Sequence, residues 1–353
     1  MCQPREFPQE GVLELQLTVD LSAIRRNVAA VRASTGREVL LMVKADGYGH
    51  GMERVALALE DDVAAFGVAT LEEGLRLRRS GVGKCILVCI CSADEVLPAA
   101  ESGLTVAVAD ESTLEEVERL SKFGIAPDFH VKIDTGMHRL GFPCERARSL
   151  AERMATNGLC PSGVYSHLRS PNEKQVKAFA QAAAEFKEVF PDVVSHLASS
   201  SSLEMQDALF GMVRIGHAAY KGAMKVTSRV VAVRQVRRGE CVGYGEMRVS
   251  KDCNLAVVFG GYFDGVQREN PSCVVIRGRK CPCVGSVCMD MFAVDTGDFV
   301  AECGETVVLV GGELSAEEVA TERNTVDYTV MTGWHGRVQR IFEDDQSRGK
   351  RKS

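Results

Sequence analysis

The chain carries no sustained basic block. Its 42 Lys and Arg are outnumbered by 48 Asp and Glu, for a formal charge of −6, and only the short Arg348–Ser353 tail concentrates positive charge. That balance argues against a nucleic-acid binder steered by a broad positive face, and the tail reads as a solvated end. No uninterrupted apolar run reaches membrane-spanning length, and the amino end, MCQPREFPQEG, lacks the basic-then-apolar pattern of a signal peptide. Cys281-x-Cys283 has no second close cysteine pair near it in the sequence, so a zinc site is not expected and no metal is assigned. The thirteen cysteines are odd in number, in a chain large enough to need no covalent staples. Cys85, Cys89, Cys91 and Cys288 stand inside apolar runs, where small buried thiols are ordinary. Reduced thiols and a cytoplasmic protein, bound to neither membrane nor nucleic acid, are the expectation.

What the chain does have is core material. At 353 residues and 45% hydrophobic it fits a large β/α domain plus a smaller one. Eight short apolar runs punctuate the first part: Val39 to Val43, Ala65 to Ala69, Cys85 to Cys91, Thr105 to Ala109, Phe129 to Ile133, Gly163 to Ser166, Val193 to Leu197 and Met212 to Ile215. Helical patterns separate them. In Asp20 to Ala33, Ile24, Val28 and Val31 recur after an Asp cap; in Pro171 to Phe190, Val176, Phe179, Phe186 and Val189 mark one face. Strand then helix, eight times over, predicts an α/β fold of the (β/α)8 TIM-barrel type, although a doubly wound sheet shares the local pattern. After about residue 222 the texture becomes Val-, Thr- and Gly-rich, which predicts a mainly β C-terminal domain. The expected organisation is therefore residues 1–19 as a tail and strand joining the β domain, 20–221 as the barrel, and 222–353 as the β domain.

In such barrels the chemistry gathers at the carboxyl ends of the strands. Lys44 follows four apolar residues and opens a Gly-rich turn. Desolvation there eases loss of its proton, and a neutral amine forms an imine with an aldehyde. By itself the motif fits equally a lysine that marks a strand end and points at water. Other strand ends add Lys132, Asp134, His138, Arg139, His167, His196, Ser199 to Ser202, Arg214, Gly216, His217 and Tyr220. A serine cluster opening a helix, beside a glycine that permits close backbone approach, suits a phosphate; a plain helix cap would explain one serine.

The segments VKADGYGHG, VKIDTGMHRLGF, VRIG, VGYG, GGYFDG and VCMD follow in an order that resembles the alanine racemase family of pyridoxal-phosphate enzymes, over Leu13 to Phe342. The resemblance implies a (β/α)8 barrel followed by a β domain, pyridoxal 5'-phosphate as cofactor, and an amino-acid substrate. It implies that Lys44 forms the internal aldimine and acts as one base. Tyr48, Ser200, Gly216 and Ser199 would hold the phosphate, His167 would line the pyridine ring, and Arg214 would face its nitrogen. Arg139 would orient the catalytic tyrosine and contact the substrate carboxylate, beside Lys132, a lysine that some members carry carbamylated. Tyr244 would be the second base. It would enter the partner subunit's barrel mouth, which implies a homodimer with shared active sites; Met289 and Asp290 would reach the same site, and Tyr262 and Arg268 its access route.

The implied activity is interconversion of L- and D-alanine by two-base proton transfer. One departure widens the choice. The family's closing motif has a tyrosine before Arg-Val as part of an inner gate, whereas this chain has Gly336 after Trp334 and His335. The segment after His167 also differs, with Asn172 where the family often has an acid. A racemase accepting serine, longer aliphatic or basic amino acids is the alternative, and a non-enzymatic pyridoxal-phosphate binder a third. The retained pair Lys44 and Tyr244 speaks against the last, since a carrier needs no proton acceptors.

Overall fold

The computed structural model describes residues 14–245 and 247–344; the amino end read for a signal peptide and the Arg348–Ser353 tail lie outside the described residues. The chain forms two compact units. One is Ile24–Ala219, and the other joins the described residues up to Ala23 with those from Tyr220 onward. Among the described residues no helix is long and apolar enough to cross a membrane, and all described cysteines are free thiols.

Strand β1 (Gln16–Asp20) belongs to the second unit. The first is built on β2 (Glu38–Met42), β3 (Ala65–Val68), β4 (Cys85–Val88), β5 (Thr105–Val108), β6 (Asp128–Asp134), the two-residue β7 (Phe142–Pro143), β8 (Gly163–Tyr165), β9 (Val194–Ser199) and β10 (Met212–Ile215). Apart from β7, which only extends β6, each pairs in parallel with the next, and β10 returns to β2 with Arg214 opposite Leu40, closing an eight-stranded barrel. Every residue of β3, β5 and β10 is buried, as expected for strands covered on both faces. Leu40, Ala65, Leu87, Ala107, Tyr165 and Met212 form one of the buried clusters.

The helices start where short polar side chains cap them. The Asp20 carboxylate accepts from Ala23 N–H (2.8 Å) at the head of the helix Leu21–Thr35. Asn172, not Pro171, begins the helix Glu173–Val189, its side-chain oxygen accepting from Gln175 N–H (3.1 Å). The run expected as a strand to Cys91 ends at Val88, because Ser92 and Glu95 form a capping box that turns the chain into the helix Ala93–Glu101.

The second unit contains β11 (Met224–Val236), β12 (Cys253–Phe259), β13 (Val274–Ile276), β14 (Arg279–Cys281), β15 (Cys283–Val284), β16 (Met291–Asp295), β17 (Thr306–Val310) and β18 (Gln339–Glu343). They run in the order β14-β13-β17-β11-β12-β16-β15, and β1 pairs with β11 and β18. The 13-residue β11 is the spine, pairing antiparallel with β1, β12 and β17. Two short helices, Ala316–Glu322 and Asp327–Thr332, interrupt the β texture.

Candidate active site

Directly after β2, the chain makes a turn that ordinary residues avoid. Ala45, Asp46, Gly47 and Tyr48 all have φ between 53° and 63°, so four residues in succession, three of them not glycine, lie in the left-handed region. Each costs roughly 1–2 kcal/mol against the right-handed alternative. Several contacts hold the turn. The Glu73 carboxylate accepts from Ala45 N–H (2.8 Å), Asp46 accepts from Met52 N–H (3.2 Å), and the Gly47 and Gly49 amides bond back to Val43 and Ala45. Backbone strain maintained in this way is characteristic of a functional position. It presents Lys44, half-buried, at the carboxyl end of β2.

The same turn places Tyr48 against the loop after β10. A Cβ at Gly216 would collide with the Tyr48 phenol, so glycine there is a packing requirement. Ser200 Oγ accepts from Gly216 N–H (3.3 Å) and Ala218 N–H (3.1 Å). Three loops thus bring a phenol, a hydroxyl and two amides to a bare backbone, a donor set of the kind that binds phosphate. Ser199 neighbours it, tied to Ser202 through a capping box.

Below the cradle lies a cationic, deeply buried layer. The Arg214 guanidinium donates to the carbonyls of Ser166 (2.6 Å), His196 (3.0 Å) and Leu197 (3.2 Å), and to Nδ1 of His196 (2.8 Å) and of His167 (3.3 Å). Because a guanidinium only donates, both Nδ1 atoms are acceptors and the protons sit on Nε2. His196 Nε2 then donates to His130 Nδ1 (2.9 Å). Tyr165 stacks on His196, with centroids 4.9 Å apart, and lies beneath Arg214 and Lys132. His130 and Lys132 share a face of β6 by simple alternation, a signal that sequence reading left unused; Tyr165, His130 and Glu73 were all missed as site residues.

Burial lowers the pKa of His167 to about 3, helped by four cations: Arg214, Arg139, Lys132 and Lys44. Burial also lowers Lys132 to about 8, with Arg139 and Arg214 adding to the effect. His130 is pushed down to about 4 by burial, and His196 well below its ordinary value by burial and Arg214. A consequence follows for stability. Unfolded imidazoles titrate near ~6.5, so below that pH the unfolded chain binds protons that the folded chain refuses. Stability is therefore lost as pH falls from ~6.5 toward the folded values. At pH ~5 the loss is roughly 2 kcal/mol for a fully buried imidazole. The urea midpoint should fall between pH 7 and pH 5, and His130→Leu should flatten that slope; an unchanged slope in the variant would count against it.

Arg139 is exposed and makes no hydrogen bond to a described residue, although its charge is felt at Lys132 and His167. It follows the loop after β6, where Asp134 accepts from the amides of Gly136, Met137 and His138. In the second unit Tyr244, Met289 and Asp290 converge on a cleft of about 290 Å³. Tyr244 is 67% exposed between the left-handed glycines Gly243 and Gly245. Tyr262 lies under the Arg268 guanidinium (5.5 Å) and is not among the residues lining that cleft.

The profile of the alanine racemase N-terminal domain matches residues 19–224, and that of the alanine racemase C-terminal domain matches residues 223–342. The chain belongs to the alanine racemase family. It is 35% identical to the alanine racemase of Mycobacterium bovis, over 94% of this chain and 96% of that protein. It is 32% identical to that of Streptococcus uberis, over 92% and 96% respectively. The solved alanine racemase of Streptomyces lavendulae superposes with a TM-score of 0.89 at 28% identity, covering 96% of this chain and 99% of that one. Membership makes the chain a pyridoxal-phosphate-dependent racemase.

The family's closing tyrosine has no counterpart in Gly336, and the backbone shows why. Gly336 has φ 65°, and a Cβ there would meet the Phe263 carbonyl oxygen at 2.7 Å. Next to it Arg337 lies over the rings of Phe259 and Phe263, pairs bidentately with the buried Asp264 (2.9 and 2.7 Å), and reaches Asp290 (2.9 Å). Trp334, two residues before Gly336, is buried at 3% exposure. Gly336→Tyr should therefore destabilise the fold by about 1–3 kcal/mol, through left-handed strain. Thermal unfolding of the variant checks this, and unaltered stability would show that the loop relaxes freely.

Proposed function

We propose that the chain interconverts L- and D-alanine, with Lys44 and Tyr244 exchanging the α-proton on opposite faces. The observation that carries this reading is the charge pattern at the barrel's strand ends. Four cations, Lys44, Lys132, Arg139 and Arg214, act on one neutral imidazole, His167, beside a phosphate-suited cradle of Tyr48, Ser200 and Gly216. Such a cluster calls for anions, and pyridoxal 5'-phosphate with an amino-acid carboxylate supplies them.

Bound there, the cofactor would withdraw electrons from the substrate's α-carbon and make its proton acidic. Lys44 Nζ would hold the cofactor and take or return a proton on one face. Tyr48, Ser199, Ser200 and the Gly216 amide would grip the phosphate, and His167 would line the ring. Arg214 would face the ring nitrogen and disfavour its protonation by its permanent charge, which suits proton return over further chemistry. Arg139 would hold the substrate carboxylate and steady the phenolate form of Tyr244. Lys132 would assist as a carbamate: its lowered pKa supplies neutral amine, which adds carbon dioxide and releases one proton.

The second base would come from the partner subunit's Tyr244 in a homodimer with shared active sites, with Met289 and Asp290 beside it. The exposed apolar surface around that cleft supports this: Tyr244, Met247, Met289 and Met291 are 67%, 59%, 51% and 45% exposed. Patches of this kind mark surfaces that a partner covers. Gly336 favours a second reading, broader specificity, because no aromatic ring projects from that position. A panel of amino acids scored for enantiomer conversion, with pyridoxal phosphate added, decides between them. Alanine converted with the highest kcat/KM supports the first reading; a larger value for serine, lysine or leucine would replace it with the second.

A further inference from the structure

A second cavity, of about 500 Å³, lies wholly within the β unit. Its lining includes Arg323, Arg268, Gln267, Asn324, Thr329 and His335. Tyr262 and Arg268, the pair that family resemblance associates with the access route, share its wall. Arg323, which no part of the racemase reading uses, is the unusual member.

Arg323 follows directly on the helix Ala316–Glu322 and is buried, with 7% exposure. Burial lowers its pKa from the ordinary guanidinium value, yet a guanidinium remains charged throughout the physiological range. Its one hydrogen bond is from Nε to Ser272 Oγ, at 3.3 Å. Neither Nη group has a hydrogen-bond partner among the described residues, and no carboxylate pairs with it. The neighbouring Glu322 is engaged elsewhere, accepting from the Cys273 amide (2.7 Å) and thiol (3.2 Å). Glu322 and the Cys283 thiol act on the guanidinium only at a distance, and a buried cation with no carboxylate in contact is costly unless something pairs with it. The four Nη donors of this cavity-lining residue form a planar fork that matches the two oxygens of a carboxylate.

The rest of the lining fits the same ligand. Arg268 is exposed, has no ion-pair partner among the described residues, and adds a second positive charge. Gln267, Asn324 and Thr329 add amide and hydroxyl groups. No acidic side chain lines the cavity. We infer that this cavity is a binding site for a small carboxylate, anchored on Arg323 and closed by Arg268. The inference rests on Arg323, which the proton-transfer reading does not use, while Tyr262 and Arg268 are shared with the access route.

The chain carries its own reporter. Trp334 is the sole tryptophan, buried between Gly333 and His335, both of which line the cavity. Succinate and acetate are titrated into the holoenzyme at constant ionic strength against chloride, with inorganic phosphate as a separate arm. Trp334 fluorescence, calorimetry and thermal unfolding are recorded. Succinate should shift the fluorescence and raise the unfolding temperature, as any ligand preferring the folded state does. Arg323→Met should weaken that binding by about tenfold or more, the loss expected for charge-assisted bonds. Arg323→Lys, which keeps the charge but loses the fork, should fall between, and Arg268→Gln should lose less than Arg323→Met. The Met variant should fold at least as stably as the parent without succinate, because it removes an unpaired buried charge. Succinate binding no tighter than chloride, or unchanged in both Arg323 variants, would overturn the proposal. Phosphate binding as tightly as succinate would overturn the carboxylate assignment.

Discussion

Lys44→Ala should lower kcat/KM for alanine racemisation by about 10⁴-fold or more, because in the proposed mechanism one side chain would supply both the covalent hold on the cofactor and a general base. The visible absorbance of the lysine-bound cofactor should disappear as well. Folding should not suffer. The left-handed turn from Ala45 to Tyr48 is held by Glu73, Asp46 and backbone amides, none of which requires the lysine side chain. Circular dichroism and thermal unfolding of the variant should therefore match those of the cofactor-free parent, which separates lost chemistry from lost structure. An added small amine should restore part of the activity. A variant that kept activity within tenfold of the parent would remove Lys44 from the mechanism.

Tyr244→Phe should lower racemisation by roughly 10²–10⁴-fold, the usual worth of a positioned general acid or base. Enantiomers have equal free energy, so kcat/KM must fall equally in both directions. The asymmetry appears instead in isotope exchange. With Lys44 intact, one enantiomer should still exchange its α-hydrogen with deuterated solvent while keeping its configuration; the other should exchange slowly, at the rate of racemisation. Cofactor loading should remain normal, since Tyr48, Ser200, Gly216 and Arg214 are untouched. Equal exchange of both enantiomers in the variant would mean that a different group serves the second face. The variant should fold as the parent does, because a phenol 67% exposed in the protomer contributes little to a core.

The barrel was legible because parallel strands buried on both faces must be written as apolar runs, and Ala65–Val68, Thr105–Val108 and Met212–Ile215 are buried throughout. Strands lacking that constraint were invisible. β14 reads Arg-Lys-Cys, and four of the five residues of β18 are exposed. The helix Ala316–Glu322 did carry a signal, Ser315 followed three residues later by Glu318, whose amide the serine caps at 3.1 Å.

The site was legible in part. Lys44 and Tyr48 stood out through the glycines around them, but nothing in the residues Ala45, Asp46 and Tyr48 announces positive φ. Part of what holds that conformation is Glu73, 28 positions beyond Ala45. Likewise His130 and His196 meet across 66 positions, and Arg337 and Asp264 across 73, distances over which local pattern carries no information. Gly336 was recognised as a departure from the family. Its reason, a left-handed backbone pressed against Phe263, became visible only in three dimensions.

Incubation of pure L-alanine with the chain and pyridoxal phosphate in deuterated water tests the central claim most directly, with each enantiomer separated and weighed for deuterium. The account predicts an equal mixture of L- and D-alanine at completion, with the D-alanine carrying one deuterium at its α-carbon. Deuterium entering L-alanine with no D-alanine formed would contradict two-face proton transfer, and alanine left untouched would contradict the assignment of substrate.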